Sequence, residues 1–255
     1  MDKQLVFENL NSAYKVFVRL SDSEYEIQDI PYDLAYSGLN HFIFNYVRLK
    51  NLDPKRFEEL LDYLKAPFLC LPASNLDEEA FSTMMQHYNL IKIDDLMGQY
   101  LDNLQDFPYQ SPQEEIQIKL MTSEEDLEIL DVLCQDAYEH EKNLAKKMFK
   151  GIITQTPEES RVYMFLAYWQ GEPVGKAALV TCDNLAGLYW DSVLPPFRRR
   201  GIATALIRTR LEVARMLGYT EAIVQTRTPA FSCYQRLGFK LCGSLPFFKR
   251  LVETN

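Results

Sequence analysis

Three consecutive arginines and a glycine, Arg198-Arg199-Arg200-Gly201, stand directly before an apolar-periodic run that ends at Gly218. On their other side, Pro195 and Pro196 close off a strand-like run, "AGLYWDSVL". A strand-to-helix junction presents unpaired backbone N–H groups and a partial positive charge at the start of the helix. Anions bind such ends. Gly201 has no side chain to keep an anion away from the main chain, and Ala203 keeps the first turn small. The arginines add donors matched to phosphate oxygens. A pyrophosphate fits this constellation. A solvated basic loop capping a helix is the competing reading of these four residues alone. Neither GxxxxGK[ST] nor GxGxxG occurs in the chain, which argues against an ordinary NTPase and a dinucleotide dehydrogenase.

The elements that must position this junction are readable around it. "EIQIKLM" alternates like a half-buried strand. Thr122 or Ser123 then precedes "EEDLEILDVLCQDAYEHE", where a hydroxyl followed by acids marks a helix start. "RVYMFLAYW" and "PVGKAALVTC" read as a hairpin with Gly171 in the turn. "AGLYWDSVL" is a third strand. "GIATALIRTRLEVARMLG" is an amphipathic helix with Gly218 as its C-cap. "EAIVQTR" (strand), "PAFSCYQRLG" (short helix) and "FKLCGSLPFFKRL" (strand) follow. The predicted order is β-α-β-β-β-α-β-α-β, a mixed α/β layer fold.

Upstream, "DNLQDFPYQSPQEE" (residues 102–115) is polar, holds two prolines and reads as a linker. It divides the chain into residues 1–110 and 115–255. The first part mixes strand-like runs ("YEIQDI", "HFIFNYVRL", "PFLCLP") with helix-like ones ("DPKRFEELLDYLK", "NLDEEAFSTMMQHY").

Composition narrows the partners. The 255 residues carry 27 Lys+Arg against 36 Asp+Glu, a net charge of −9. That disfavours nucleic acid and an anionic membrane. Five scattered cysteines with no CxxC pair, and three distant histidines, predict reduced thiols and no metal site. With no secretion signal and no run of about 18 apolar residues, the expected setting is cytoplasmic.

The stretch Val193-x-Pro195-x-x-Arg198-Arg199-Arg200-Gly201-Ile202-Ala203 resembles the coenzyme A loop of the GNAT acyltransferase superfamily, [RQ]-x-x-G-x-[GA]. "AFSCYQRLGF", with Ala230, Tyr234, Gly238 and Phe239, is similar to that family's A-x-x-x-Y-x-x-x-G-F segment. The two elements also stand at a typical separation. The resemblance covers about residues 115–250.

It implies a GNAT fold and an acetyl-CoA-dependent N-acetyltransferase acting on a primary amine. The implied cofactor-binding positions are Arg198, Arg199, Arg200, Gly201, Ile202, Ala203 and Thr204 for the pyrophosphate, with Ser192 and Val193 for the pantetheine arm. A backbone amide near Val193 would polarise the thioester carbonyl, a contribution of roughly 3–4 kcal/mol to lowering the barrier. Arg199 stands where a glycine is often found. Tyr234 matches the tyrosine that protonates the departing thiolate; a packed core tyrosine is the alternative. Cys233 reads as a small apolar residue rather than a nucleophile. A base must deprotonate the amine. Asp191 is the leading candidate, and Glu139, Glu141 and Glu221 are others. Gln225 could bond a ligand, and Arg227 stands where many relatives carry Asn. The first lobe resembles a degenerate GNAT-like half that binds no cofactor and shapes access for the amine-bearing acceptor. A non-catalytic acyl-CoA sensor and an interaction scaffold remain the rival functions.

Overall fold

The computed structural model describes residues 1–108, 110–156 and 160–251. Tyr109, inside the expected linker, and residues 252–255, at the end of the expected second domain, lie outside the described residues. The first part holds α1 (Lys3–Arg19), β1 (Glu26–Gln28), β2 (Tyr32–Tyr36), β3 (Asn45–Leu49), α2 (Pro54–Tyr63), β4 (Phe68–Pro72), α3 (Glu78–His87) and β5 (Ile91–Leu101). The second holds β6 (Ile116–Leu120), α4 (Glu124–Tyr138), α5 (Leu144–Phe149), β7 (Val162–Trp169), β8 (Glu172–Cys182), β9 (Leu185–Val193), α6 (Ile202–Met216), β10 (Ala222–Thr226), α7 (Thr228–Gln235) and β11 (Lys240–Arg250). The predicted β-α-β-β-β-α-β-α-β order is present, with α5 added after α4.

Local chemistry sets the boundaries. Ser123 and Asp126 form a capping box that starts α4. Between β7 and β8, Gln170 and Gly171 both have positive φ, which suits the tight hairpin that Gly171 predicts. α1, β2, α5 and β5 are not among the elements predicted from the sequence. α1 buries Val6, Phe7, Leu10, Ala13, Tyr14, Phe17 and Val18, a helical spacing that makes one apolar face. β5 has no clean alternation, because Asp94, Asp95 and Gly98 interrupt its apolar residues.

The eleven strands among the described residues form one sheet, ordered β1-β2-β3-β4-β11-β5-β10-β9-β8-β7-β6. The chain repeats a strand–helix–strand–helix–strand unit: β3-α2-β4-α3-β5, then β9-α6-β10-α7-β11. In each unit the first two strands pair in parallel. The last strands are exchanged. β11 lies against β4, β5 lies against β10, and β5 and β11 pair with each other.

Three main cores result. One lies under α1, α4 and α5, where Phe17, Leu130, Met148 and Phe149 meet the sheet. A second lies on the opposite face beneath α6, and a third under α2 and α3. Each fully buried Leu or Phe contributes about 1.5–3 kcal/mol relative to exposure. The side chain of Asn9, on α1, accepts a hydrogen bond from Tyr189 Oη (2.7 Å) and donates to the Cys182 carbonyl (3.0 Å). Gly187 permits this approach: a Cβ there would lie 2.7 Å from Asn9 Oδ1. The helix of the first part is thereby fastened across a strand of the second.

Candidate active site

The site is built from a fork between two strands. β9 and β10 pair only from Ala186 with Ala222 to Leu188 with Val224, yet β9 runs on to Val193 and β10 to Thr226. Their far ends diverge. A cavity of about 740 Å³ occupies the fork and reaches both faces of the sheet. Ala203, Ile207 and Tyr234 line it on the α6 side, and Leu10, Tyr14 and Phe17 on the α1 side.

A β-bulge re-aims the residues at the fork. Tyr189 pairs with Ala178 and Ser192 with Lys176, so Trp190 and Asp191 both oppose Ala177. Trp190 takes the left-handed conformation, with φ 59. Before the bulge, Ala186 and Leu188 face α6 while Tyr189 faces α1. The extra residue keeps Trp190 on the α1 side, against Phe17, Phe44 and Phe149. It thereby returns Asp191 to the α6 side. Strict alternation would have pointed Asp191 the other way.

There Asp191 meets two partners. Its Oδ1 lies 2.5 Å from Arg210 Nη2, and its Oδ2 accepts from the Tyr234 hydroxyl. Arg210, on α6, is fully buried and also donates to the Leu206 carbonyl (3.1 Å), the Ala178 carbonyl (3.0 Å) and Tyr234 Oη (3.3 Å). Burial pushes the Tyr234 hydroxyl well above the usual tyrosine range, and the charge of Asp191 pushes the same way. The phenol therefore stays protonated at any working pH. Lys176, also fully buried, donates to the Trp190 carbonyl (2.7 Å) and Tyr138 Oη (3.1 Å), satisfying a carbonyl at the bulge.

The Arg-Gly turn sits at the cavity's edge. Gly201 is the N-cap of α6, with φ 82, and no side chain caps the helix. A Cβ at Gly201 would find its nearest neighbour, Gln113 Nε2, at 3.6 Å, so the main chain there is open to approach. Arg199 has φ 63, a conformation that favours glycine and accounts for the residue often found there in similar proteins. The three arginines do not act alike. Arg198 folds back so that Nε donates to the Val193 carbonyl (3.0 Å). Arg200 lies over the rings of Trp169 and Phe197, at 5.1 and 5.7 Å. Arg199 is exposed. Ile202 is buried, Ala203 is exposed, and Thr204 is half-buried on the first turn. The residues able to hold a coenzyme A pyrophosphate are thus the amides around Gly201, with the arginines beside them.

Tyr234, Asp191, Ser192, Val193, Arg198 and Ala203 converge on the cavity, and Gln225, Arg227 and half-buried Cys233 line it as well. Glu139, Glu141 and Glu221 do not line it: the first two lie beyond the end of α4 and the third precedes β10. Arg227 pairs with Asp94 of β5 at 3.7 Å. Sequence reasoning missed Arg210, Lys176 and Gln113. The first two sit in periodic apolar runs, and nothing local marks their partners. Among the described residues, no group of three or more His, Cys, Asp or Glu could hold a metal ion. Among the described residues, no helix is long and apolar enough to cross a membrane.

Comparison with known proteins places this geometry. The model of the acetyltransferase (GNAT) family matches residues 125–239. A human protein, N-acetyltransferase 8, is 51% identical over 63 residues, which cover 23% of this chain and 28% of that protein. The chain therefore matches less than a third of that relative's own length. A GCN5-related N-acetyltransferase from Kribbella flavida shares the fold over 98% of this chain and 96% of its own, with a TM-score of 0.62 and 14% identity. A tandem GNAT protein from the clavulanic acid biosynthesis pathway does so over 88% of this chain and 79% of its own, with a TM-score of 0.58 and 12% identity. The element order, the forked parallel strands and the family match agree: residues 125–239 of this chain are similar to the acetyltransferase (GNAT) family.

Proposed function

We propose that the protein is an acetyl-CoA-dependent N-acetyltransferase that acetylates a primary amine. The observation that carries this reading is the coincidence of the uncapped α6 terminus with the fork between β9 and β10, joined by one cavity. The amides from Arg199 to Thr204 would hold the pyrophosphate, and the open edge of β9 at Ser192 and Val193 would hold the pantetheine arm. Acetyl-CoA supplies the activated acyl group.

The chain's own groups then have distinct work. A backbone N–H near Val193 stabilises negative charge on the carbonyl oxygen, with no reorganisation at the moment of reaction. The neutral amine attacks the carbonyl carbon, the carbon–sulfur bond breaks, and the proton shed by the nitrogen passes through water to replace the one that Tyr234 loses. Tyr234 gives its proton to the departing sulfur. Burial opposes the charge of Arg210 most strongly, but Asp191 and Tyr234 together outweigh it and keep the guanidinium charged. Both oxygens of Asp191 are engaged, by Arg210 and by Tyr234. Its work is therefore to orient the phenol, and Arg210 positions both. We further propose that the two parts of the chain act as lobes, the second carrying cofactor and chemistry.

Release of free thiol from acetyl-CoA, followed with and without a panel of primary amines, tests the reading. Amine-dependent release is expected. Acetyl-CoA binding without amine-dependent release would favour the sensing role instead, and no binding at all would favour a scaffold.

A further inference from the structure

On the α1 side the fork opens into a chamber whose walls come largely from the first part of the chain. Leu10, Tyr14 and Phe17 of α1, Leu71 of β4, Leu96 of β5 and Phe247 of the exchanged β11 line it. All are apolar or aromatic, and five of the six are buried. The charged side chains on the whole cavity are Asp136, Asp191, Arg198 and Arg227. Asp191, Arg198 and Arg227 belong to the fork and the α6 side. Asp136 is exposed at the end of α4, beside the chamber.

We infer that this chamber selects the acceptor, and that the acceptor is a primary amine carried on an apolar, preferably aromatic, body. The inference rests on the acetyl-transfer reading above. The walls suit a hydrophobic body, whose burial drives binding. Asp136 draws the ammonium toward the chamber before it loses its proton. An acyl chain could also fill an apolar space, but it offers nothing to this carboxylate. A polyamine or a lysine-rich peptide would leave cationic groups facing leucine and phenylalanine.

The test is a kinetic series with the full-length protein. Acetyl-CoA is held saturating, and kcat/KM is measured for n-propylamine, n-butylamine, n-hexylamine, benzylamine and phenethylamine against ethanolamine and spermidine. The expected result is a rise of about threefold to fourfold per added methylene and a preference for the aromatic amines over spermidine. A parallel arm fixes phenethylamine and compares acetyl-, butanoyl- and hexanoyl-CoA, where the rate is expected to fall with acyl length. Leu96→Asp, placed on the less buried wall, is expected to reverse the order of phenethylamine and spermidine. Its folding is checked by the retained thermal shift with acetyl-CoA, and the wild-type series decides alone if that variant fails to fold. A flat or inverted acceptor series with acetyl transfer intact overturns the inference and leaves the acetyl-transfer reading standing. A rate that rises with acyl length overturns it by giving the chamber to the acyl chain. No thiol release with any amine overturns the acetyl-transfer reading, and this inference with it.

Discussion

α2 and α6 occupy the same place in the two repeated units, each following the first strand of a parallel pair, yet they begin differently. α2 starts at Pro54 behind Asp53, whose carboxylate accepts from the amides of Lys55 and Arg56. A negative side chain thus already occupies the anion site. α6 starts behind Gly201, which offers no side chain at all. The strands beside them differ in the same sense. β3 and β4 stay paired to their ends, Leu49 with Pro72, whereas β9 and β10 part after Leu188 and Val224. One unit is closed by its own residues, and the other is left open at the two places where a long, anionic thioester would need to enter. The closed unit, through Leu71 of β4 and Leu96 of β5, and the preceding α1 contribute apolar walls to the cavity. Degeneracy here consists of a capping aspartate and an unforked strand pair.

The sharpest way to break this comparison is to close the open terminus. Gly201→Val places a β-branched residue at positive φ and crowds the amides of α6. Losing two charge-assisted hydrogen bonds weakens binding by about 3–6 kcal/mol, so kcat/KM for acetyl-CoA should fall by about 100- to 20,000-fold. The matching change in the other unit, Asp53→Ala, should leave kcat/KM unaltered and lower stability by about 1 kcal/mol, read from denaturant unfolding. Equal kinetic effects of the two variants would erase the distinction.

Next in size is a pair of tyrosines. Tyr234→Phe removes the proton donor, and kcat should drop by about 100-fold with little change in KM for acetyl-CoA. Tyr46, on β3, is equally buried, but its hydroxyl has no partner. Tyr46→Phe should therefore leave kcat unchanged and leave stability equal or slightly improved. A Tyr234→Phe enzyme as fast as wild type would return Tyr234 to the role of a core residue.

The smallest effect is expected where the two parts of the chain touch. His41 packs against His140, with ring centroids 5.8 Å apart. Burial, followed by the charge of His140, lowers its pKa from 6.5 to about 4. Above about 6.5, His41 is neutral whether folded or unfolded, and its contribution to stability is fully present. As pH falls from 6.5 towards 4, only the unfolded chain takes up the proton, so stability declines. The thermal midpoint should fall across that window, and less steeply in His41→Gln. Identical slopes would assign the decline to other groups.

What could be read in advance follows from how local each signal is. The Arg-Gly turn, the helix after it and the Tyr234 segment are contiguous and periodic, and they lie as expected. The partnership of Asp191, Arg210 and Tyr234 is not contiguous. It depends on a one-residue bulge that reverses the direction of Asp191, and strand alternation carries no trace of that reversal. Arg210 lies on an amphipathic helix with nothing local to mark it; the carboxylate brought to it by the bulge, with the Leu206 and Ala178 carbonyls and the Tyr234 hydroxyl, makes its burial tolerable. β5 escaped notice because two adjacent aspartates and a glycine interrupt its pattern. Its exchange with β11 joins residues over a hundred positions apart, beyond any periodicity. α1 had the spacing of a helix, but its role as a wall of the cavity emerges only once the fork is in place.

Titration calorimetry of acetyl-CoA into the full-length protein tests the central contrast most directly. The account predicts one site per chain, lost in Gly201→Val and retained in Asp53→Ala. Two sites per chain, or binding that survives Gly201→Val undiminished, would contradict it.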